Sequence, residues 1–324
     1  MLSMSYTRCF IVCFWCCLII GACSKAPIDS KHAFLSKLSG YQIFAGAMQE
    51  LNPTNEFVVY ELATELFSDY AEKQRLIKVP TGTQLTQVND DFPDFPNGTI
   101  LVKTFYYYHD KRDPNKGKQV IETRLLVKEN EAWSAATYLW NQEQTEAFLL
   151  KSGYHKNVNW IDENGEGKVL SYRVPMLTEC DVCHQNNNAL EPIGPKLRNL
   201  NMEVQRNNQL LNQLQYFQNL GLINTFNPQQ IDSLPAAFGT SRSLEERARA
   251  YLDINCTACH RLNGHADDVP EVYFDYHLSF DETKMAAFKA KIIKEMEKGD
   301  MPSVATSVID QEGLELVQQY INSL

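Results

Sequence analysis

Clustered positive charge is missing from this chain. Its 324 residues hold 30 lysines and arginines against 40 aspartates and glutamates, for a formal charge of −10, and the basic residues form no block. Nucleic-acid backbones are bound by concentrated cations, so the balance argues against a nucleic-acid partner. Long apolar runs are also lacking: past residue 22 none approaches the roughly 20 residues that a bilayer-spanning helix needs. Glycine and proline are sparse, at 15 and 13, while 44% of residues are hydrophobic and 11% aromatic. That excludes a collagen-like or disordered chain and leaves enough apolar surface for a sizeable core. Cysteine is absent from most of the sequence. Five of the nine fall within the first 23 residues, and the other four stand as two close pairs, Cys180 with Cys183 and Cys256 with Cys259. This is not the spread of a small disulfide-stapled domain.

The N-terminus has the order of an export signal. Arg8 precedes an apolar run from Cys9 to Ile20, and Gly21-Ala22 stand before Cys23. A short apolar core ending in small residues reads as a cleaved signal over residues 1–22. Ile20-Gly21-Ala22-Cys23 resembles a bacterial lipobox, which implies that Cys23 is the lipid-attachment residue and that the membrane is reached through a lipid anchor. Ser24 stands where inner-membrane lipoproteins commonly have Asp, so the resemblance implies an outer-membrane lipoprotein, facing the periplasm or the surface.

The composition divides the mature chain into a β-rich N-terminal domain over 23–175 and two further regions, 176–240 and 241–324, each holding one of the two cysteine pairs. The expected fold class is α+β, an antiparallel sheet or sandwich followed by a mainly α-helical region. Phe57 to Tyr60, Thr99 to Tyr108 and Val120 to Val127 are β-branched and aromatic runs bounded by turn residues. Trp133, Trp140 and Trp160 fall in this half as expected core anchors, and helices are expected near 31–38 and 143–150. Beyond Pro175 the expectation is helical. Ser243 and Glu246 have the spacing of a capping box that opens a helix running into the second cysteine pair. Met285, Phe288, Ile292 and Met296, then Leu314, Val317, Ile321 and Leu324, recur at helical spacing as core stripes.

The chemistry is concentrated in Cys180-Asp-Val-Cys183-His184 and Cys256-Thr-Ala-Cys259-His260. Each is C-x-x-C-H, the attachment sequence of a c-type haem. In a helical turn, positions i, i+3 and i+4 share a face, so two thiols can reach the two vinyl groups of one porphyrin while the imidazole meets the iron. The expected cofactors are therefore two covalently attached c-type haems, with His184 and His260 as iron ligands. A four-thiolate zinc site is disfavoured because 72 residues separate the pairs and zinc has no use for a His after each one. Two structural disulfides would also leave both histidines unexplained.

For the sixth ligand of the second haem, Met301 stands before Pro302 and the last amphipathic stretch, the usual layout of a small class I cytochrome c; His265 and His277 are runners-up. For the first haem, Gly194-Pro195-Lys196-Leu197 resembles the segment lining the haem on its histidine side in small cytochromes. The distal candidates are Met202, Met176, His109 and His155, or the position is open, with Lys103, Tyr106 and Trp133 as candidates for a wall beside it.

The chain resembles a bacterial family of di-haem c-type cytochromes with a β-rich N-terminal domain. The resemblance is carried by Tyr60-Glu61-Leu62, Leu66 to Ala71, Phe95 to Thr99, Lys103 to Tyr107, Glu122 to Val127, Trp140 to Ala147, Pro192 to Asn201 and Arg247 to Cys256. It implies two haems and this architecture, and it departs from the family between His265 and Lys284, where the chain is shorter. The expected function is electron transfer in the bacterial cell envelope, with redox proteins of the envelope as partners. The alternative is a haem enzyme, peroxidase-like or oxidase-like, in which one open-coordinate haem is fed by the other.

Overall fold

A meander of six antiparallel strands in sequence order forms the main sheet: β1 (Val58–Val59), β2 (Glu72–Lys78), β3 (Ile100–Tyr108), β4 (Lys118–Glu129), β5 (Ala132–Trp140) and β6 (Ala147–Leu149). The computed structural model describes residues 32–324 apart from 188, 263, 265, 267–270 and 303–305. The expected signal segment and Cys23 therefore lie outside the described residues. Strands β4 and β5 are joined through Asn130 and Glu131, both with positive φ, the backbone that matches a tight hairpin to the twist of its strands.

Alternation gives the sheet two different faces. On one, Leu76, Val102, Leu125, Ala136 and Trp140 pack under the N-terminal segment through Leu38, Ile43, Leu51 and Phe57. The other face carries three bands. Ile77 and Leu101 meet Leu197, Leu214 and Phe217 at one end. Phe105 and Tyr107 meet a separate hairpin, β7 (Tyr154–Ile161) with β8 (Gly167–Val174), through Val158, Trp160 and Tyr172 at the other. Between these apolar bands runs a polar row in register, Arg75 opposite Lys103, Lys103 opposite Arg124, and Arg124 opposite Thr137.

The second half is a mixture of helices and short hairpins. Helix α1 (Leu177–His184) is followed by β9 (Gln185–Asn186) and β10 (Ala189–Leu190), then α2 (Leu197–Leu200), β11 (Glu203–Arg206), β12 (Gln209–Asn212) and α3 (Gln213–Asn219). Helices α4 (Leu244–Asn255), α5 (Phe280–Thr283), α6 (Met285–Lys298) and α7 (Gln311–Ser323) complete the chain. Leu252, Met285, Met296, Leu314, Val317 and Ile321 share one core, so the stripe positions among them serve packing, whereas Leu324, expected in the last stripe, is exposed at the end of the helix. Residues 31–324 pack as one unit.

The capping box forms: Ser243 Oγ accepts from Glu246 N at 3.2 Å and Glu246 Oε2 accepts from Ser243 N at 3.0 Å. Ser243→Ala is expected to cost about 1 kcal/mol in urea denaturation, and a cost near zero would mean that α4 is held by packing alone.

Two sequence expectations are corrected. Residues 32–37 are irregular and lead into a 3-10 turn at Leu38–Tyr41, and 143–150 contains β6, not a helix. At Gln144 the backbone is left-handed, and its side chain accepts from Val120 N at 2.6 Å while donating to Val120 O at 3.1 Å. This fastens the turn to the sheet, so pairing of Ala147 with Trp140 overrides local helix preference. The expected helical character of 176–240 is interrupted by hairpins. Strands β11 and β12 turn through Asn207-Asn208, both at positive φ, a conformation that asparagine tolerates better than most residues.

Candidate haem-attachment site

Strand β8 leads across Pro175 and Met176 into α1, whose first turn is secured by Glu179. Its carboxylate pairs with Arg173 and accepts from Met176 N at 2.8 Å. An acid in the first turn also suits the positive end of the helix dipole. Cys180, Cys183 and His184 thus occupy i, i+3 and i+4 of one helix, which packs against β5.

The β9/β10 hairpin brings Glu191 back to His184. Glu191 N donates to His184 O at 2.7 Å, and His184 Nδ1 lies 2.6 Å from Glu191 O. A carbonyl can only accept, so Nδ1 carries the proton. Nε2 is left without a partner among the described residues. Metal-bound histidines are commonly fixed in this way, the second ring nitrogen donating to a carbonyl. Burial pushes the imidazole pKa down to about 4; the Glu191 bond opposes this, while Arg124, Lys103 and Arg261 add to it. The ring is neutral at neutral pH, the form a metal accepts. The donor set at Cys180, Cys183 and His184 therefore fits a covalently attached haem.

The second motif continues from α4 as a turn. Cys256 N donates to Leu252 O at 2.9 Å, Cys259 N to Cys256 O at 3.1 Å and His260 N to Cys256 O at 2.9 Å. Burial raises the Cys256 thiol to about 12 and lowers His260, whose Nδ1 is buried without a partner among the described residues. Its ring meets Phe274 edge-on at 5.5 Å.

The two motifs meet. Cys259 Sγ donates to Val182 O at 3.5 Å, and the mutual influence of the two neighbouring thiols pushes Cys183 up and Cys259 down. Arg261 pairs with Glu191 at 3.2 Å. Among the described residues, no three cysteine or histidine ligand atoms of the two motifs lie within 4.8 Å of one another, so no single tetrahedral thiolate centre is formed there.

A strap over 61–71 ties these parts together, and sequence reasoning assigned it no role. Thr64 N donates to Asn199 Oδ1 at 2.9 Å, Phe67 N to Asn255 Oδ1 at 2.7 Å, and Ser307 N to Asp69 Oδ1 at 2.7 Å. Asp69 and Tyr70 both have positive φ, unusual for two consecutive residues that are not glycine, and the bonds to Ser307 and Val308 hold them there. The strap thus fastens the end of α4, just ahead of Cys256, to the connection that carries Met301. The run from Leu66 to Ala71 was visible only as part of the family resemblance.

The other candidates are dispersed. Met301 follows α6 at 40% exposure. Met202 is half-buried between α2 and β11, its backbone tied to Leu200 and Gln213. Met176, His109 and His155 are exposed. His277 Nε2 is taken by Asp90 Oδ2 at 2.6 Å, with Asp232 alongside, and His265 lies outside the described residues. Tyr106 packs on the opposite face of the sheet from Lys103, and Trp133 meets Phe95 edge-on at 5.2 Å. The Gly194 to Leu197 segment leads into α2, where Lys196 and Arg198 reach the buried Asp253 of α4.

Comparison with known proteins returned no match: no family model, no curated protein and no solved structure corresponds to the chain.

Proposed function

We propose that the protein is a di-haem c-type cytochrome that transfers electrons in the bacterial cell envelope, held at the outer membrane by lipid on Cys23. The observation that carries the reading is the meeting of the two C-x-x-C-H segments, 72 residues apart in sequence, where Cys259 Sγ lies 3.5 Å from Val182 O and Arg261 pairs with Glu191. A haem iron supplies a one-electron carrier at each attachment site. Two such carriers on adjoining segments suit a relay, because electron exchange falls steeply with distance.

The chain's own groups have definite tasks in this reading. Cys180 and Cys183, and Cys256 and Cys259, provide the thioether sulfurs. His184 and His260 are the proximal ligands, and the Glu191 carbonyl keeps the first imidazole in the required tautomer. Met301 is proposed for the sixth position of the second haem and Met202 for that of the first. Helices α4 to α7, with the second motif in the turn after α4 and Met301 in the connection after α6, make up the proposed cytochrome c-like part. The acidic surface favours basic redox partners.

The test is spectroscopy of the purified, membrane-extracted protein. Pyridine haemochrome analysis is expected to give two c-type haems per chain, and electron paramagnetic resonance two low-spin centres. Absence of haem would sink the proposal, and rapid cyanide binding at one centre would replace the relay with a haem enzyme. Met301→Ala is expected to keep both haems attached and turn one of them high-spin.

A further inference from the structure

The polar row across the middle of the sheet holds more positive charge than it can neutralise. Lys73, Arg75, Lys103 and Arg124 project from the same face of β2, β3 and β4, as the register requires. Against these four cations stand two carboxylates. Glu65 takes Lys73 at 3.2 Å and Arg75 at 2.9 Å, and Glu122 takes Arg124 at 2.6 Å. Lys103 Nζ makes no hydrogen bond or ion pair among the described residues; it lies 4.8 Å from the centre of the Phe105 ring, and the Arg124 guanidinium lies 4.6 Å from the same ring. Lys103 is half-buried, and withdrawing a charge from water without a counter-ion is costly; an aromatic face shared by two cations offsets only a small part of that cost.

Two further atoms in the row lack partners. Arg75 is 4% exposed and its Nη2 is buried and unbonded, as is Thr137 Oγ1 at the other end. The first attachment helix lies against this region: α1 packs on β5, whose Thr137 stands opposite Arg124 in the row, and the charges of Arg124 and Lys103 add to burial in pushing the His184 pKa down. In a chain of net charge −10, two basic groups in excess of the carboxylates stand beside a proposed haem site and match in number the two carboxylates that a haem carries on its edge. Burial and the nearby Arg75, Lys73 and Arg124 push the Lys103 pKa well down, so its ammonium form calls for such a partner.

We propose that Arg75, Lys103 and Arg124 receive the propionate carboxylates of the haem attached at Cys180, Cys183 and His184. The inference rests on the haem reading and goes beyond it, because the attachment motif determines how the vinyl side of a porphyrin is held and says nothing about its acidic side. The row is a positioning and charge-compensating element. Its cations disfavour the more positive, oxidised state of the nearby iron and so raise its potential.

The test is redox titration of the full-length protein carrying Lys103→Met, with Lys103→Arg as the conservative control and haem content measured on each. Lys103→Met keeps the length of the stem and removes an uncompensated charge, so the fold is expected to persist. If it does not express, Lys103→Gln serves the same purpose. The expected result is two haems in every protein. In the neutral variant the oxidised-to-reduced ratio of one haem rises at least tenfold at fixed potential, a downward shift of about 59 mV for a one-electron centre. The other haem is unchanged, and Lys103→Arg stays near the wild type. Two haems with both potentials unmoved in the neutral variants would overturn the inference while leaving the haem reading intact. Equal shifts in Lys103→Arg would also overturn it. A wild-type protein without haem would remove both.

Discussion

The double substitution Cys180→Ala/Cys183→Ala is expected to halve the haem content, from two per chain to one, and Cys256→Ala/Cys259→Ala to do the same. On the proposed haem reading each pair of thioether bonds would hold one porphyrin independently, even though the two motifs touch where Cys259 meets Val182. The result separates the haem reading from its nearest competitor. A shared four-thiolate ion needs both pairs, so either double substitution would then abolish all metal binding. Haemochrome absorbance and total metal on the same samples decide between them. Loss of all haem from one double variant, with the protein still folded by circular dichroism, would mean that the attachment sites are not independent. Those sites pack through Arg261 with Glu191 and through Cys259 with Val182, so a modest shift in the spectrum of the remaining haem is expected as well.

Arg198→Met is expected to be the most damaging substitution away from the cysteines, costing about 3–5 kcal/mol in urea denaturation. Arg198 is 1% exposed and meets both oxygens of Asp253 at 3.2 and 3.3 Å. Asp253 is itself buried and also accepts from Tyr276 N at 3.2 Å. Loss of the guanidinium would leave that carboxylate with the Tyr276 N–H and a single cation, Lys196 at 3.5 Å. The pair joins α2 to α4 three residues ahead of Cys256, so weakening it loosens the second attachment turn. Arg198→Met combined with Asp253→Leu is expected to recover most of the loss, since apolar replacement of both partners removes the desolvation cost. A single-variant cost below about 1 kcal/mol would show that the pair is solvated in solution.

Several elements were legible in the order of residues because their determinants are local. The spacing of Ser243 and Glu246 defined the start of α4, and alternating β-branched and aromatic residues marked β3 and β4. The two C-x-x-C-H segments stood out because attachment chemistry requires thiols and imidazole at fixed helical offsets. The helices expected near residues 31–38 and 143–150 failed for a tertiary reason. Both segments fasten to the sheet, Lys37 bridging Phe148 and Ala147 pairing with Trp140, and such pairing outweighs a weak helical preference.

What the sequence by itself determined is the acidic balance and the two C-x-x-C-H motifs with the residues that could serve beside them. Only the tertiary structure decided that motifs 72 residues apart adjoin, that a strap over 61–71 ties α4 to the Met301 connection, and that Arg75, Lys103 and Arg124 align across three strands. The physical reason is that each of these depends on strand register and long-range packing. A one-residue slip in β2 or β4 would move its cation to the other face of the sheet, and no local pattern in the chain encodes which residue lies opposite which.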